Sequence, residues 1–585
     1  MLGANIRSGG VEFSVWAPRA ERLSVQIISV QTNESDQIEL SRGTDGLFSG
    51  FASAQAGDRY CYVIDGNCRP DPVSRYLPEG VHSRTEIVDP DSFHWNDEDW
   101  RGLSFQDFVI YELHTGTFTP QGTFDGAIEK LSYLRDLGIT AIELMPVAAF
   151  PGIRNWGYDG VSLYAVQARY GGPDGLKRLV NAAHRAGLAV VLDVVYNHLG
   201  AEGNYLREFG PYFTDRYKTL WGDAINYDGK DSQHVRKYAI ENALFWIREY
   251  HIDGLRLDAI QTINDASPKH IVQELVESVR EFTDGSGRKV SVMAESDENE
   301  RKLVLPLGEG GFGLDAVWSD DFHHSVHTVL TAENSGYYQD YGQPEKIVKA
   351  LNEGFVFQGQ HFRAWNTSRG TSSQGIPLFR HVFCIQNHDQ IGNRCWGERL
   401  NHLVPKGAVK AAAALLLLAP ETPLLFMGEE YAEPAPFQFF VDFGDPQLQK
   451  AVLEGRKAEF EDFGWTEIPN PQDPETFERS KLTWRMDEDM LAWYRQLLQL
   501  RRKFVTHSAR TCRARLSDRQ IVMEVPVEEA GLLVMVTFPE STSQGTKTDL
   551  AGEELLLQSK EDNCEVSVFL NKRAQARAAI LKEAA

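Results

Sequence analysis

The stretch HIDGLRLDAI, residues 251–260, reads at first as a buried strand in which Leu255 and Leu257 alternate with Arg256 and Asp258. Residues i and i+2 of a strand share a face, so a guanidinium and a carboxylate point the same way at its C-terminal end. Buried charges cost several kcal/mol each unless they are paired and hydrogen-bonded. Two of them at one strand end call for a reason, and the flanking sequence supplies it.

Outward from this stretch, short apolar runs alternate with helical patterns. The runs are FVIYELH (108–114), TAIELMP (140–146), AVVLDVVYNH (189–198), VSVMAES (290–296), LDAVWSDDFHH (314–324), HVFCIQNHD (381–389) and PLLFMGEE (423–430). Amphipathic segments such as LKRLVNAAHRAG and KHIVQELVESVREF separate them. With GLRLD (254–258) the runs number eight, which predicts an α/β fold, a (β/α)8 barrel. A doubly wound sheet usually has fewer strands. Two connections, 199–232 after the third run and 325–380 after the sixth, are long, polar, aromatic and glycine-rich, as binding loops tend to be.

Residues 1–90 are short alternating runs broken by Gly, Asn and Asp (VEFSVWAP, LSVQIISV, DRYCYVIDGNCRPDP) and predict a β-sandwich. Its aromatics suit a packing face and a glucan-touching face equally. After the helical MLAWYRQLLQLRRKF (490–504), short strands return in RQIVMEVPV, GLLVMVTF and CEVSVFL. The expected division is an N-terminal sandwich (1–92), a catalytic barrel (93–504) and a small C-terminal antiparallel β-domain (505–585).

The 585 residues are 42% hydrophobic and carry a formal charge of −24, which argues against nucleic acid or an anionic membrane as partner. No basic and apolar leader opens the chain, and the apolar AAAALLLLAP (411–420) is too short to span a bilayer and reads as a buried helix. Six cysteines without a CxxC pair predict free thiols, although Cys61 and Cys68 could meet across a turn. The expectation is a soluble cytoplasmic protein.

Active sites of such barrels lie at the C-terminal ends of the strands. The third run ends with Asp193, Asn197 and His198, the fourth with Arg256 and Asp258, and the fifth with Glu295. The seventh ends with Asn387, His388 and Asp389, and the eighth with Glu429 and Glu430. Any one acidic residue could be a rim charge or a helix cap. Five such strand ends converging on one mouth are hard to explain by solvation. Paired carboxyl groups suit glycoside hydrolysis, where an ionised one attacks the anomeric carbon and a protonated one donates to the leaving oxygen. Arg256 beside Asp258 would keep that carboxylate ionised, and Glu295, ending an apolar run, is better placed to hold a proton. Asp389 would bind sugar hydroxyls and favour the oxocarbenium-like transition state.

The segments DVVYNH (193–198), GLRLDAI (254–260), AES (294–296) and QNHD (386–389) resemble, in order, the four short regions of the α-amylase superfamily of glycoside hydrolases. The resemblance implies Asp258 as nucleophile, Glu295 as general acid/base and Asp389 as transition-state stabiliser. It also implies His198, Arg256 and His388 at the sugar next to the cleaved bond, with Tyr158 of NWGYDG as the stacking tyrosine. The sandwich is similar to that of isoamylases, branching enzymes and maltooligosyltrehalose trehalohydrolases. The wording of NHLGAEGNYL, AESDENE, QNHDQIGNR and MGEEYAEPAPFQFFVDFGD most resembles the last family. Its members cut the α-1,4 bond next to the terminal trehalose of maltooligosyltrehalose, which would be the substrate. Trp221 and Gln261 would then lie toward the trehalose side. An enzyme that forms maltooligosyltrehalose is implied as a functional partner. Many α-amylases hold calcium at the third-strand insertion, and Asn197 is a candidate ligand, but the short insertion argues against that site. No metal or other cofactor is expected. The four regions alone are also compatible with debranching or branching of α-1,6-linked glucan. A non-catalytic glucan-binding role would be favoured by loss of a catalytic carboxylate, and all three are present.

Three further signals carry no chemistry. GEGGFG (308–313) fits a dinucleotide fingerprint in letters, but a strand rather than a helix follows it. His323–His324 has no partner cluster for zinc and reads as packing or sugar contact. NES (33–35) and NTS (366–368) are glycosylation sequons in letters only.

Overall fold

The computed structural model describes residues 2–461, 468–506, 511–517, 520–526, 531–538 and 553–571. Eight parallel strands close into a barrel in chain order: β1 (Ile110–Leu113), β2 (Ala141–Leu144), β3 (Ala189–Val194), β4 (Gly254–Leu257), β5 (Ser291–Glu295), β6 (Ala316–Trp318), β7 (His381–Phe383) and β8 (Thr422–Phe426). Each of the eight runs read from the sequence supplies one strand. The sixth is shorter than expected, because Asp320 and Asp321 open a helix (Asp320–Thr331) that also takes up His323 and His324. Acidic side chains in a first turn favour a helix N-terminus.

Inside the barrel, Ile110, Ala141, Ala189, Val191, Met293, Ala316, Val382 and Leu424 form an apolar plug. Two residues further along β1, β2, β3 and β5, the same face carries Glu112, Glu143, Asp193 and Glu295, and β4 carries Arg256 there. The barrel is thus dry at its floor and charged at its mouth, and the alternation of the strands dictates which residues reach each level. The helix Lys406–Leu418 is buried from Gly407 to Leu418, packed between the helix Glu488–Phe504 and the C-terminal sheet. That is why the Ala–Leu stripe is apolar all round. No helix among the described residues is long and apolar enough to cross a membrane.

The N-terminal sandwich pairs one sheet (Gly3–Arg7, Gly10–Trp16, Leu47–Ala52, Ser41–Arg42) with another built around Ser24–Ile28 and Arg59–Ile64. Several of its large aromatics are used for packing, while Phe51 is exposed. Trp16 stacks on His234 (4.6 Å) and meets Tyr212 edge-on, while Tyr62 meets Phe209. Among the described residues the C-terminal sheet has five strands, of which Arg513–Ser517 and Glu554–Glu561 were not apparent from sequence because their residues are polar or largely exposed. The expectation of free thiols fails at one pair, for Cys61 and Cys68 form a disulfide. They lie across the hairpin Arg59–Ile64/Asn67–Arg69, which brings their Cα atoms to 5.6 Å, within bridging distance.

The segment that joins sandwich to barrel is clamped to the barrel by one imidazole. His184 Nδ1 meets Asp97 (2.7 Å) and Nε2 meets Asp253 (2.8 Å), under the ring of Trp100. Burial alone would lower the His184 pKa, but the hydrogen bonds to Asp253 and Asp97 outweigh it and hold it raised. Burial likewise pushes Asp97 up, but hydrogen bonds from His184 and His251 hold it well below the usual carboxylate range. The raised His184 contributes stability that is whole below about pH 6.5 and is lost as pH climbs through its folded value. The depressed Asp97 contributes stability that is present above about pH 4 and lost as pH falls. The difference in Tm between the protein and His184→Gln is therefore expected to be widest between about pH 4 and 6.5 and to narrow above it. A gap that grows with alkalinity in melting curves would contradict the clamp.

Candidate active site

The fourth strand delivers its charges as its sequence foreshadows. Gly254 opens β4 where a Cβ would come 3.2 Å from both Ser291 O and Val191 Cγ2. Arg256 is fully buried at the centre of the mouth. Its Nη1 donates to Asp193 Oδ2 (2.7 Å) and Asp258 Oδ1 (2.9 Å), and its Nη2 donates to Glu295 Oε2 (2.8 Å). The guanidinium lies over the Trp318 ring, 4.4 Å from its centroid. One cation thus serves three carboxyl groups from three strands.

The chain turns sharply after Asp258. Ala259 adopts φ +37, a left-handed conformation costly for a residue with a Cβ. The turn aims the Ala259 N–H at Glu295 Oε2 (2.9 Å). Both donors to Glu295 therefore use Oε2, and Oε1 is left toward the cleft. Burial, opposed by Arg256 and reinforced by Asp258 and Asp389, pushes the Glu295 carboxyl well above the usual range, the direction a proton donor needs. Asn197 Nδ2 donates to Asp258 Oδ2 (2.8 Å) and O (3.1 Å). Its Oδ1 meets His198 Nδ1. No group of three or more His, Cys, Asp or Glu side chains placed to hold a metal ion occurs among the described residues.

On the opposite wall, Glu112 accepts from the His388 backbone N–H (3.0 Å) and its Oε1 meets His388 Nδ1. Burial alone would lower the His388 pKa, but Asp389 and Glu112 carry it up to about 10, so the ring is an imidazolium. Its Nε2 donates to the Tyr158 hydroxyl (2.8 Å), which donates to Asp193 Oδ2 (2.6 Å). Tyr158 also stacks on the His388 ring, with centroids 5.2 Å apart. Gly157 makes that placement possible, having φ +107 and passing where a Cβ would lie 2.2 Å from the Pro146 carbonyl. Asp389, about one-third exposed, lies 3.4 Å from His388 Nε2 and accepts from Asn393 Nδ2 (3.2 Å). His198 Nε2 donates to the Tyr158 carbonyl (3.0 Å), and Trp221, half-exposed, lies flat on the His198 ring at 4.0 Å.

The structure thus gathers Asp258, Glu295, Asp389, Tyr158, His198, Arg256 and His388 at one mouth and sets Trp221 against His198. Gln261 sits on the short turn Ile260–Thr262 beyond Asp258, its amide oxygen buried and without a partner. Glu429 and Glu430, read from sequence as part of the mouth, are not. Glu429 accepts from Tyr494 (2.9 Å), and Glu430 from Tyr133 (2.7 Å) and Tyr111 (3.2 Å). The chain turns at Gly428, φ +83, and carries both carboxyls away from the axis. Glu112 and Glu143 were overlooked, although each follows an inward apolar residue by two positions. Glu143 is buried with neither oxygen partnered, and burial, Glu112 and Asp193 push its carboxyl far up.

Residues 87–223 match the catalytic domain model of the α-amylases, and residues 1–90 match carbohydrate-binding module 48, the isoamylase N-terminal domain. A malto-oligosyltrehalose trehalohydrolase of Saccharolobus solfataricus is 45% identical over 92% of this chain and 93% of its own length. One from Deinococcus radiodurans is 44% identical over 86% of this chain and 83% of its own. A pullulanase crystal structure from Anoxybacillus sp. LM18-11 superposes with a TM-score of 0.72 at 19% identity, covering 98% of this chain and 86% of that one, a likeness of fold alone.

Proposed function

The chain belongs to the malto-oligosyltrehalose trehalohydrolase family of α-amylase-type glycoside hydrolases, and we propose that Asp258, Glu295 and Asp389 carry out its reaction. The enzyme hydrolyses the α-1,4 bond next to the terminal trehalose of maltooligosyltrehalose, releasing trehalose and a maltooligosaccharide. Asp258 attacks the anomeric carbon while Glu295, through Oε1, protonates the departing trehalose oxygen. Glu295 then takes a proton from water, which displaces Asp258 from the glycosyl-enzyme. Two displacements retain the α configuration. Asp389 holds sugar hydroxyls as positive charge develops, His388 lines the wall beside it and fixes the Tyr158 hydroxyl, and Tyr158 stacks on the sugar ring. Trp221 and Gln261 take the trehalose side. A cytoplasmic location and a functional link to a maltooligosyltrehalose-forming enzyme complete the proposal.

The observation that carries the assignment of roles is the division of labour at Arg256: one guanidinium donates to Asp258 Oδ1 and engages only one oxygen of Glu295. The test is to incubate the enzyme with maltooligosyltrehalose, maltooligosaccharide and branched glucan, identify the products, and follow fresh product by NMR. Trehalose from the first substrate, with α-anomer appearing first, is expected. Cleavage of branched glucan without trehalose release would overturn the substrate, and β-anomer first would overturn the mechanism.

A further inference from the structure

Glu202 lies in the connection that follows β3, with three residues between it and His198. Its side chain is 14% exposed, and its two oxygens are spent on backbone of a distant loop. They accept the Gly444 N–H at 3.1 and 2.8 Å and the Asp445 N–H at 3.3 Å. A carboxylate taking successive backbone N–H groups makes charge-assisted bonds, stronger than neutral ones. The same carboxylate lies 3.4 Å from His82 Nε2 of the sandwich, whose Nδ1 meets the Tyr205 hydroxyl at 2.7 Å. Three segments from separate parts of the chain therefore converge on one side chain.

The loop held by Glu202 supports the far wall of the site. Asp442, two residues before Gly444, accepts from Ile153 N (2.8 Å) and Arg154 (2.5 Å) of the connection after β2. Phe437 and Phe439 of that loop pack on Trp156, which stands edge-on to His388. On the near side, the chain between His198 and Glu202 has little freedom. Gly200 donates to Gly160 (3.0 Å), and a Cβ there would come 2.2 Å from the Asp159 carbonyl.

We propose that Glu202 is a positioning residue that ties the loop after β8 and the N-terminal sandwich to the loop after β3, and so holds the His198–Trp221 wall at the substrate. It touches no reacting atom. The inference rests on the function proposed above. His198 and Trp221 contact bound sugar in ground and transition states alike, so loosening them removes uniform binding, which raises KM and spares kcat.

The test is steady-state kinetics of Glu202→Ala and Glu202→Gln on maltooligosyltrehalose well below the melting temperature of each, with melting curves in parallel. In Glu202→Gln one amide oxygen still accepts from Gly444, while the amide nitrogen accepts nothing. KM is expected to rise about tenfold for Ala and about threefold for Gln, with kcat within about twofold of the unaltered enzyme. KM unchanged in both variants, or kcat falling in step with the rise in KM, would overturn the proposal. If the unaltered enzyme releases no trehalose, the functional reading fails on its own, and the same KM comparison is then made on whichever glucan it cleaves.

Discussion

Asp258→Asn is expected to fold as the parent does and to lose about four orders of magnitude or more in kcat, because it removes the attacking charge at almost constant volume. The substitution has a local cost. Arg256 Nη1 can still donate to the remaining carbonyl oxygen, but the new amide group would face Asn197 Nδ2, which now donates to Asp258 Oδ2. Two donors face to face forfeit that hydrogen bond, a loss of about 1–3 kcal/mol. The expected result is thus a lower Tm with an intact cooperative transition and almost no turnover. Glu295 supplies a second readout. Asp258 is among the charges that push its carboxyl up, so the variant should lower the Glu295 pKa. Any residual activity should then fall off at lower pH than in the parent. Loss of the folded state would mean that Asp258 is first a structural ion-pair partner, and turnover within about tenfold of the parent would rule it out as nucleophile.

The barrel was legible because its strands are buried on both faces and therefore appear as uninterrupted apolar runs, even where a strand is only three residues long. The catalytic carboxyls were legible for the opposite reason, as charges at the ends of those runs. Glu429 and Glu430 satisfied the same rule and failed it, since the rule locates a strand end but not the direction taken after a glycine turn. Gly428 sends both into contacts with Tyr494, Tyr133 and Tyr111. Glu112 escaped notice because YELH looks like core; its role shows only once His388, 276 residues away, lies against it. The Cys61–Cys68 bridge was hidden by another kind of distance. Seven positions of sequence allow the two to meet across a turn but do not decide pairing until hairpin register is known. Glu202 illustrates the same limit, because its partners Gly444 and Asp445 offer only backbone, which carries no sequence signal.

Arg256→Met should be the most damaging single change, because it attacks stability and chemistry together. The guanidinium is fully buried and contacts Asp193, Asp258 and Glu295 at once. Removing one partner of a buried ion pair typically costs about 3–5 kcal/mol, since the charge left behind has neither water nor counter-ion. Burial already pushes Asp193 up to about 6 against the pull of Arg256. Without that cation, Asp193 is pushed up further and takes a proton near neutral pH. Asp258 at the same time loses the donor that orients it for attack, which couples the loss of stability to loss of turnover. Arg256→Lys separates the two effects. A single ammonium keeps the charge but cannot bridge Asp193, Asp258 and Glu295 with fork geometry. It should recover much of the stability while leaving kcat about a hundredfold or more below the parent, since orientation of the nucleophile and acid is lost. Urea unfolding and kcat measured on the same preparations decide the matter. If Arg256→Met unfolds at the same urea concentration as the parent, the guanidinium is not what neutralises the mouth. If Arg256→Lys turns over like the parent, charge alone suffices, and the strand that opened the reading carries its arginine for electrostatics rather than for geometry.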